Sequence, residues 1–242
     1  GRLVFLGDVF DRGAHQVEIL WLIYALEAQA REAGGAVHLV LGNHEVMALR
    51  GDARYLNPKY RETAQLLGVA EYARLFDAGS VLGQWLRSKP TVFQLDDQLC
   101  LHGGISAALV DRKFSLKDIN DTVRAVLQGR EPAAGAARER AEFLLGESGP
   151  LWYRGYFPSE SGQAAASTAD IDRIREHFGV ATILVGHTKV PTITPLYEGR
   201  VIAVQVYPHE SSFGNPVFEA LLIRDGVRLR AWPDGRTEKL QP

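Results

Sequence analysis

Residues 2–13 read Arg2-Leu3-Val4-Phe5-Leu6-Gly7-Asp8-Val9-Phe10-Asp11-Arg12-Gly13, and residues 36–45 read Ala36-Val37-His38-Leu39-Val40-Leu41-Gly42-Asn43-His44-Glu45. Each stretch opens with a short apolar run of strand formers and stops at a glycine followed by polar side chains. Between them, Val17 to Ala30 is dense in helix formers, and its apolar residues cover most faces, so a buried helix is expected. A strand, a helix and a strand in that order predict a right-handed parallel unit. Ligands of open α/β sheets sit at the carboxyl ends of the strands. The ends at Gly7-Asp8 and Gly42-Asn43 are therefore where a site is to be sought.

Beyond this unit the pattern stays α/β. His44 to Lys89 reads as mostly helical, interrupted at Arg54-Tyr55-Leu56-Asn57-Pro58, because proline disfavours helix just before itself. Thr91–Leu95 and Gln98–His102 read as a hairpin joined through Asp96-Asp97. Leu116–Gln128 and Asp170–Phe178 read as helices, and Gly129 to Pro150 as a helix between flexible joints. Ser159 to Thr168 reads as a loop of small residues. Ala181–Val185 is a short buried strand closing on Gly186-His187. Val201–Val206, Phe218–Arg224 and Val227–Trp232 predict a strand-rich tail, with Asp225-Gly226 as a tight turn. No repeat and no domain boundary is visible, so 1–242 is expected to form one domain.

Composition excludes several classes. The 242 residues carry 27 basic and 29 acidic side chains, a net charge of −2, so no strongly basic surface is available to hold nucleic acid. Apolar residues make up 46%, too many for a disordered chain. A single cysteine, Cys100, rules out an internal disulfide framework and leaves cytoplasm and periplasm equally open. The longest apolar run, Ile19 to Leu26, has eight residues, against about 20 for a membrane-spanning helix. The chain opens at Gly1, in what already reads as a core strand, so residues ahead of it are expected.

Four glycine-flanked polar clusters follow the predicted strands: Gly7-Asp8-Val9-Phe10-Asp11-Arg12-Gly13, Gly42-Asn43-His44-Glu45, His102-Gly103-Gly104 and Gly186-His187-Thr188. One such cluster would serve backbone geometry or helix capping. Four together, carrying Asp8, Asn43, His102 and His187, offer a carboxylate, an amide oxygen and two imidazoles. That donor set suits a borderline divalent ion such as Mn²⁺, Fe²⁺ or Zn²⁺. Asp8 has two oxygens and can bridge two ions, and a two-metal centre can activate water and hold a phosphoryl oxygen. The planar fork of Arg12 matches a phosphate bidentately.

In this order the motifs Gly-Asp-x-x-Asp-Arg-Gly, Gly-Asn-His-Glu, His-Gly-Gly and Gly-His-Thr resemble the phosphoprotein phosphatase group of the calcineurin-like metallophosphoesterases. Gly51-Asp52-Ala53-Arg54-Tyr55-Leu56 and Leu151-Trp152-Tyr153-Arg154-Gly155 are similar more particularly to the bacterial Shewanella-like protein phosphatases. The resemblance runs from residue 3 to about residue 190. It implies an α/β fold, a two-sheet β-sandwich flanked by helices in α-β-β-α layers. It implies a metal-dependent phosphatase acting on phosphate monoesters, phosphoproteins or small phosphate esters, by direct in-line attack of metal-bound hydroxide without a phosphoenzyme. By position, Asp8 would bridge two divalent ions (Mn²⁺ foremost, Fe or Zn in its place), and Asn43, His102 and His187 would complete the second site. His44 would be the general acid with Asp11 bonded to it, and Arg12 and Arg154 would hold the phosphate. A neighbouring carboxylate favours the protonated imidazole that an acid needs.

Two features depart from that pattern. The related enzymes carry an Asp-x-His motif on the preceding strand, which supplies the other ligands of the first metal. This chain starts after it, so a longer native protein is expected to supply the motif. Val204-Gln205-Val206-Tyr207-Pro208-His209-Glu210 also replaces an Asp and glycine of the related enzymes. Two rivals stay open: a dinucleoside polyphosphate hydrolase and a non-catalytic phosphate-binding pseudophosphatase. Phosphotyrosine and phosphoserine or phosphothreonine stay open too, since leaving-group choice depends on the pocket walls set by Ala53 to Tyr60 and Gly129 to Ala169.

Other polar residues have plainer readings. His15 is expected at the surface, and His38 and His177 in structural roles. His209 and Glu210 are expected on a solvated loop, and Tyr55 and Tyr207 as borders of the site. Glu45 reads as a support of the helix N-terminus or as a hydrogen-bond partner behind the metal ligands, Cys100 as a buried apolar side chain, and Arg138-Glu139-Arg140 as a solvated helix face.

Overall fold

Two pairs of parallel strands end side by side, and this juxtaposition organises the molecule. A computed structural model describes residues 1–157, 162, 164–206 and 216–241, together with 209–210; of 209–210 and 216–217 it describes the backbone alone. Strand β1 (Arg2–Phe5) pairs in parallel with β2 (Ala36–Leu39), Phe5 opposite Leu39, and helix α1 (Gln16–Glu32) connects them. Helices α2 (Asn43–Leu49) and α3 (Pro58–Leu66), a 3-10 turn (Tyr72–Phe76) and α4 (Val81–Ser88) follow. The break between α2 and α3 falls where Pro58 predicts it, with the Asn57 side chain accepting from the Lys59 N–H to cap α3.

The second sheet has five strands in the order β3-β4-β5-β7-β6. They are β3 (Val92–Leu95), β4 (Gln98–Leu101), β5 (Thr182–Val185), β6 (Thr194–Leu196) and β7 (Val201–Ala203). The hairpin β3–β4 is antiparallel as expected, whereas β4–β5 and β5–β7 are parallel. Leu101 lies opposite Val185, so the residues that follow, His102 and His187, emerge next to each other. Leu99, Leu101, Ile183 and Val185 are fully buried; each such side chain contributes about 1.5–3 kcal/mol by leaving water. Between β4 and β5 run α5 (Ala107–Asp111), α6 (Leu116–Leu127), α7 (Gly135–Leu145) and α8 (Thr168–Phe178). A short ladder joins β8 (His209–Glu210) to β9 (Pro216–Val217). The tail forms an antiparallel sheet of β10 (Ala220–Arg224), β11 (Val227–Ala231) and β12 (Thr237–Lys239). Asp225 and Gly226 take φ of 52° and 74° in its hairpin turn, the left-handed pair a two-residue turn requires. The α/β architecture with mixed sheets and helices is the one the sequence predicts.

Two expectations change. Helix α1 is not buried all round: Gln16, Leu20 and Ile23 face the core, while Ile19, Trp21, Leu22 and Tyr24 are exposed. Apolar density does not report what faces a helix: Leu20 and Ile23 are fully buried, while Tyr24 meets the Trp85 ring edge-to-face, 5.8 Å between centroids. Strand β7 stops at Ala203, three residues short of Val206, which makes only an isolated parallel bridge to Val190. Helix α7 occupies the centre of the 129–150 segment and buries only Ala141 and Leu144. Of the small-residue loop predicted at Ser159 to Thr168, residues 159–161 and 163 lie outside the described residues, and Ser167 and Thr168 already cap and open α8; Tyr207 lies outside the described residues too.

Candidate active site

Glycine lets the two strand ends of the first sheet touch. Gly7 has φ of 85°, and a Cβ on it would lie 2.6 Å from the Gly42 Cα. A Cβ on Gly42 would lie 2.6 Å from both the Asp8 nitrogen and Asp8 Oδ1, so neither position accepts a side chain. Asp8 itself sits at φ 59°, a left-handed conformation that needs support. Glu45 supplies it. Its fully buried carboxylate accepts from the backbone N–H groups of Gly42 (2.7 Å), Asp8 (2.9 Å), Val9 (2.7 Å) and Phe10 (3.0 Å). Burial and the Asp8 charge push the Glu45 carboxyl upward, while the N–H donors favour its charged form. All four aim at its two oxygens. The Glu45 side chain thus ties the end of β1 to the start of α2.

The predicted ligands converge on one atom. His102 Nδ1 lies 2.6 Å from the Leu6 carbonyl oxygen, which only accepts, so Nδ1 carries a proton. His102 Nε2 then faces Asn43 Oδ1 at 3.0 Å, Asp8 Oδ1 at 3.1 Å and His187 Nδ1 at 3.1 Å. Among the described residues, Asp8, His102 and His187 form a cluster fit to hold a metal ion, with ligand atoms within 4.8 Å of one another. Asn43 adds an amide oxygen to it, with its Nδ2 turned to Met47 Sδ. Oxygen and nitrogen lone pairs pointing at each other across 3 Å are satisfied by a cation or by a proton. The donor set of two oxygens and two imidazoles fits a divalent first-row ion.

Electrostatics agree with that fit. Burial disfavours charge on His102, but the Asp8 charge and hydrogen bond outweigh it and raise the imidazole pKa. Burial likewise works against the Asp8 charge, but His102 above all, with His44 and His187, holds Asp8 below the usual carboxylate range. His187 is pushed down to about 2, first by burial and then by the charges of His102 and Arg154; it is neutral, the form in which imidazole ligates. Its Nε2 is buried without a hydrogen-bond partner among the described residues.

The other predicted residues gather on the same rim. His44 Nδ1 lies 2.8 Å from Asp11 Oδ2, with both side chains buried. Arg12 Nη1 lies 3.3 Å from His44 Nε2. Arg154 comes from the far side: its Nη1 donates to Thr188 Oγ1 (3.0 Å) and to the His187 carbonyl (3.2 Å). The segment that carries it lies against Gly103, whose N–H donates to the Pro150 carbonyl at 2.8 Å. A Cβ on Gly103 would lie 2.8 Å from that oxygen, which is why the His-Gly-Gly run needs a glycine there.

The remaining polar residues separate from the site. His15 is exposed, 3.7 Å from Glu18. His38 stacks on Phe93 at 4.4 Å, and His177 Nε2 donates to the Phe114 carbonyl. Cys100 is fully buried in β4. Arg138 and Arg140 pair at the surface with Glu142 and Asp118. The side chains of His209 and Glu210 lie outside the described residues. Two participants escape a reading of the sequence. Gln205 Oε1 accepts the His187 N–H at 3.1 Å, from the segment that departs from the family pattern. Gln16, behind the site, donates from Nε2 to Tyr72 Oη at 2.8 Å, while among the described residues Gln16 Oε1 and Asp11 Oδ1 stay buried without hydrogen-bond partners. Neither glutamine belongs to a motif.

Comparison with known proteins agrees with this geometry. Residues 2–191 match the calcineurin-like phosphoesterase family. Shewanella-like protein phosphatase 2 of Arabidopsis thaliana is 25% identical over 227 residues, covering 77% of this chain and 56% of that protein. Shewanella-like protein phosphatase 1 of Plasmodium berghei (strain Anka) is 28% identical over 193 residues, covering 78% and 52%. The chain thus spans about half the length of these curated relatives. A cold-active protein-tyrosine phosphatase of a psychrophilic Shewanella superposes with a TM-score of 0.87 at 39% identity, covering 100% of this chain and 70% of that one. With the family matched over most of its length and the motif residues drawn together at the strand ends, the chain belongs to the calcineurin-like phosphoesterases.

Proposed function

We propose that this protein is a metal-dependent phosphatase that hydrolyses phosphate monoesters on proteins, with phosphotyrosine as the foremost substrate. The observation that carries the reading is the buried His44–Asp11 pair at 2.8 Å, with Arg12 beside it and the Asp8–Asn43–His102–His187 cluster adjoining it along the chain. The Shewanella neighbour, described as a protein-tyrosine phosphatase, supports the choice of phosphotyrosine.

Asp8, Asn43, His102 and His187 would hold a divalent ion, Mn²⁺ foremost, with Asp8 shared with a second one. A divalent ion in such a site lowers the pKa of water and polarises a phosphoryl oxygen. The chain's own residues do the rest. Arg12 and Arg154 bind and orient the phosphate oxygens through their guanidinium forks. Asp11 accepts from His44 Nδ1 and turns Nε2 outward, where it gives a proton to the departing alkoxide or phenoxide.

The test is turnover by the Mn²⁺-loaded full-length protein of a phosphotyrosine peptide, a phosphoserine peptide and diadenosine tetraphosphate. Faster hydrolysis of the phosphotyrosine peptide is expected. Preference for the dinucleotide would replace this reading with the nucleotide hydrolase. Metal bound without turnover of any of the three would replace it with the pseudophosphatase.

A further inference from the structure

Tyr55 lies in the loop between α2 and α3 and touches two of the site residues at once. Its ring centroid is 5.4 Å from that of His44, at an interplanar angle of 61°. The Arg12 Cζ stands 4.5 Å from the same ring. His44 is buried, whereas Tyr55 is 41% exposed, so the ring offers open aromatic surface beside the buried imidazole. The loop holds it firmly. The Arg12 N–H donates to the Tyr55 carbonyl at 3.0 Å, and Asn57 Nδ2 donates to the Arg12 carbonyl at 2.6 Å. Arg12 is thereby clamped at φ 57°. Leu56 is buried in the core next to Tyr55, and Arg61 Nη2 donates to the Ala53 carbonyl at 3.0 Å.

We propose that Tyr55 is a specificity-determining residue, an aromatic wall against which the leaving group of an aryl phosphate packs. This rests on the phosphatase reading above. If Arg12 holds the phosphate and His44 reaches the bridging oxygen, the substituent beyond that oxygen leaves the site beside the ring that touches both. A phenyl group there can meet Tyr55 edge-on or offset at 4.5–7 Å between centroids. A seryl methylene is too small to do so. An aromatic contact of this kind is worth roughly 2- to 10-fold in affinity. Because the loop is already anchored, little ordering is needed on binding.

The experiment is calorimetric binding of benzylphosphonate and ethylphosphonate to the Mn²⁺-loaded protein. Both carry the phosphoryl charge, and only one carries a ring at the position of a phenyl ester. The wild type is expected to bind benzylphosphonate about tenfold more tightly. Y55F keeps that ratio, and Y55A reduces it to about twofold or less. Loss of the Arg12 contact in Y55A weakens both ligands together, so the ratio isolates the wall. An unchanged ratio in Y55A, or no preference in the wild type, overturns the proposal. Failure of both phosphonates to bind the wild type would overturn the phosphatase reading, and this inference with it.

Discussion

Asp11 Oδ2 sits 2.8 Å from His44 Nδ1, and both side chains are closed off from solvent. A carboxylate in that position fixes the tautomer and the aim of the ring, leaving Nε2 as the working atom. Replacement of His44 by alanine should therefore slow esters with poor leaving groups by roughly 10²–10⁴-fold, and activated aryl esters far less. Steady-state rates on an alkyl phosphate and on p-nitrophenyl phosphate measure the difference. Equal losses on both would remove His44 from the role of acid.

Glu45 collects four backbone N–H groups on two oxygens. Glu45→Gln puts an NH₂ where two of these donors point. The variant should lose on the order of 3 kcal/mol of unfolding free energy, read as a lower midpoint in urea, and should bind Mn²⁺ more weakly because Asp8 loses its backbone support. A variant with wild-type stability would show that water replaces the carboxylate at little loss.

Metal loading should stabilise the fold. At a free Mn²⁺ concentration a hundred times its Kd, a single site adds about 2.7 kcal/mol. Thermal unfolding with and without EDTA detects this in the wild type. Asn43→Ala and His102→Ala should abolish most of the increment, and His38→Ala, on the Phe93 stack away from the cluster, should retain it. Retention in all three variants would place the ion elsewhere.

Cys100 provides a pH test. Burial raises its thiol from 9.0 to about 12. Above pH 9 the unfolded chain releases this proton and the folded chain keeps it, so the unfolded state binds fewer protons and stability falls as pH rises from 9 toward 12. The slope from one group is at most about 1.4 kcal/mol per pH unit. Urea midpoints between pH 8 and 10.5 should decline less steeply in Cys100→Ala. Iodoacetamide should label the native thiol no faster than the protein unfolds; rapid labelling at pH 8 would show that the strand opens locally.

The glycines and polar residues after each strand are local information, and they point to Asp8, Asn43, His102 and His187 as candidate ligands; the roles expected of Asp11, His44 and Arg154 come from the family resemblance. Asp8, Asn43, His102 and His187 had to lie at strand ends because glycine and polar side chains terminate apolar runs, and strand ends are where α/β sheets bind ligands. The break at Pro58 and the turn at Asp225-Gly226 were legible for the same reason: each follows from the φ that one or two residues can adopt. What sequence could not supply is which surfaces meet. The exposed side of α1 reads the same as its buried stripe, because hydrophobicity is a property of a side chain and burial is a property of its neighbours. The Glu45 carboxylate was legible as a helix-start support or a hydrogen-bond partner behind the ligands, and only the approach of β1 settles which donors reach it, the N–H groups of Asp8, Val9 and Phe10. Gln205 and Gln16 carry no motif and acquire meaning only from the imidazole backbone and the tyrosine that tertiary packing sets against them. Tyr55 is expected at the border of the site, but it stands more than forty positions from Arg12 along the chain, and its contacts with the Arg12 guanidinium and the His44 ring come only from the folding of the loop. Sequence determined which chemical groups are present and where the chain must turn. The packing of strand ends and loops decided which of those groups share a site, because contact across the sheets depends on long-range burial that no local pattern encodes.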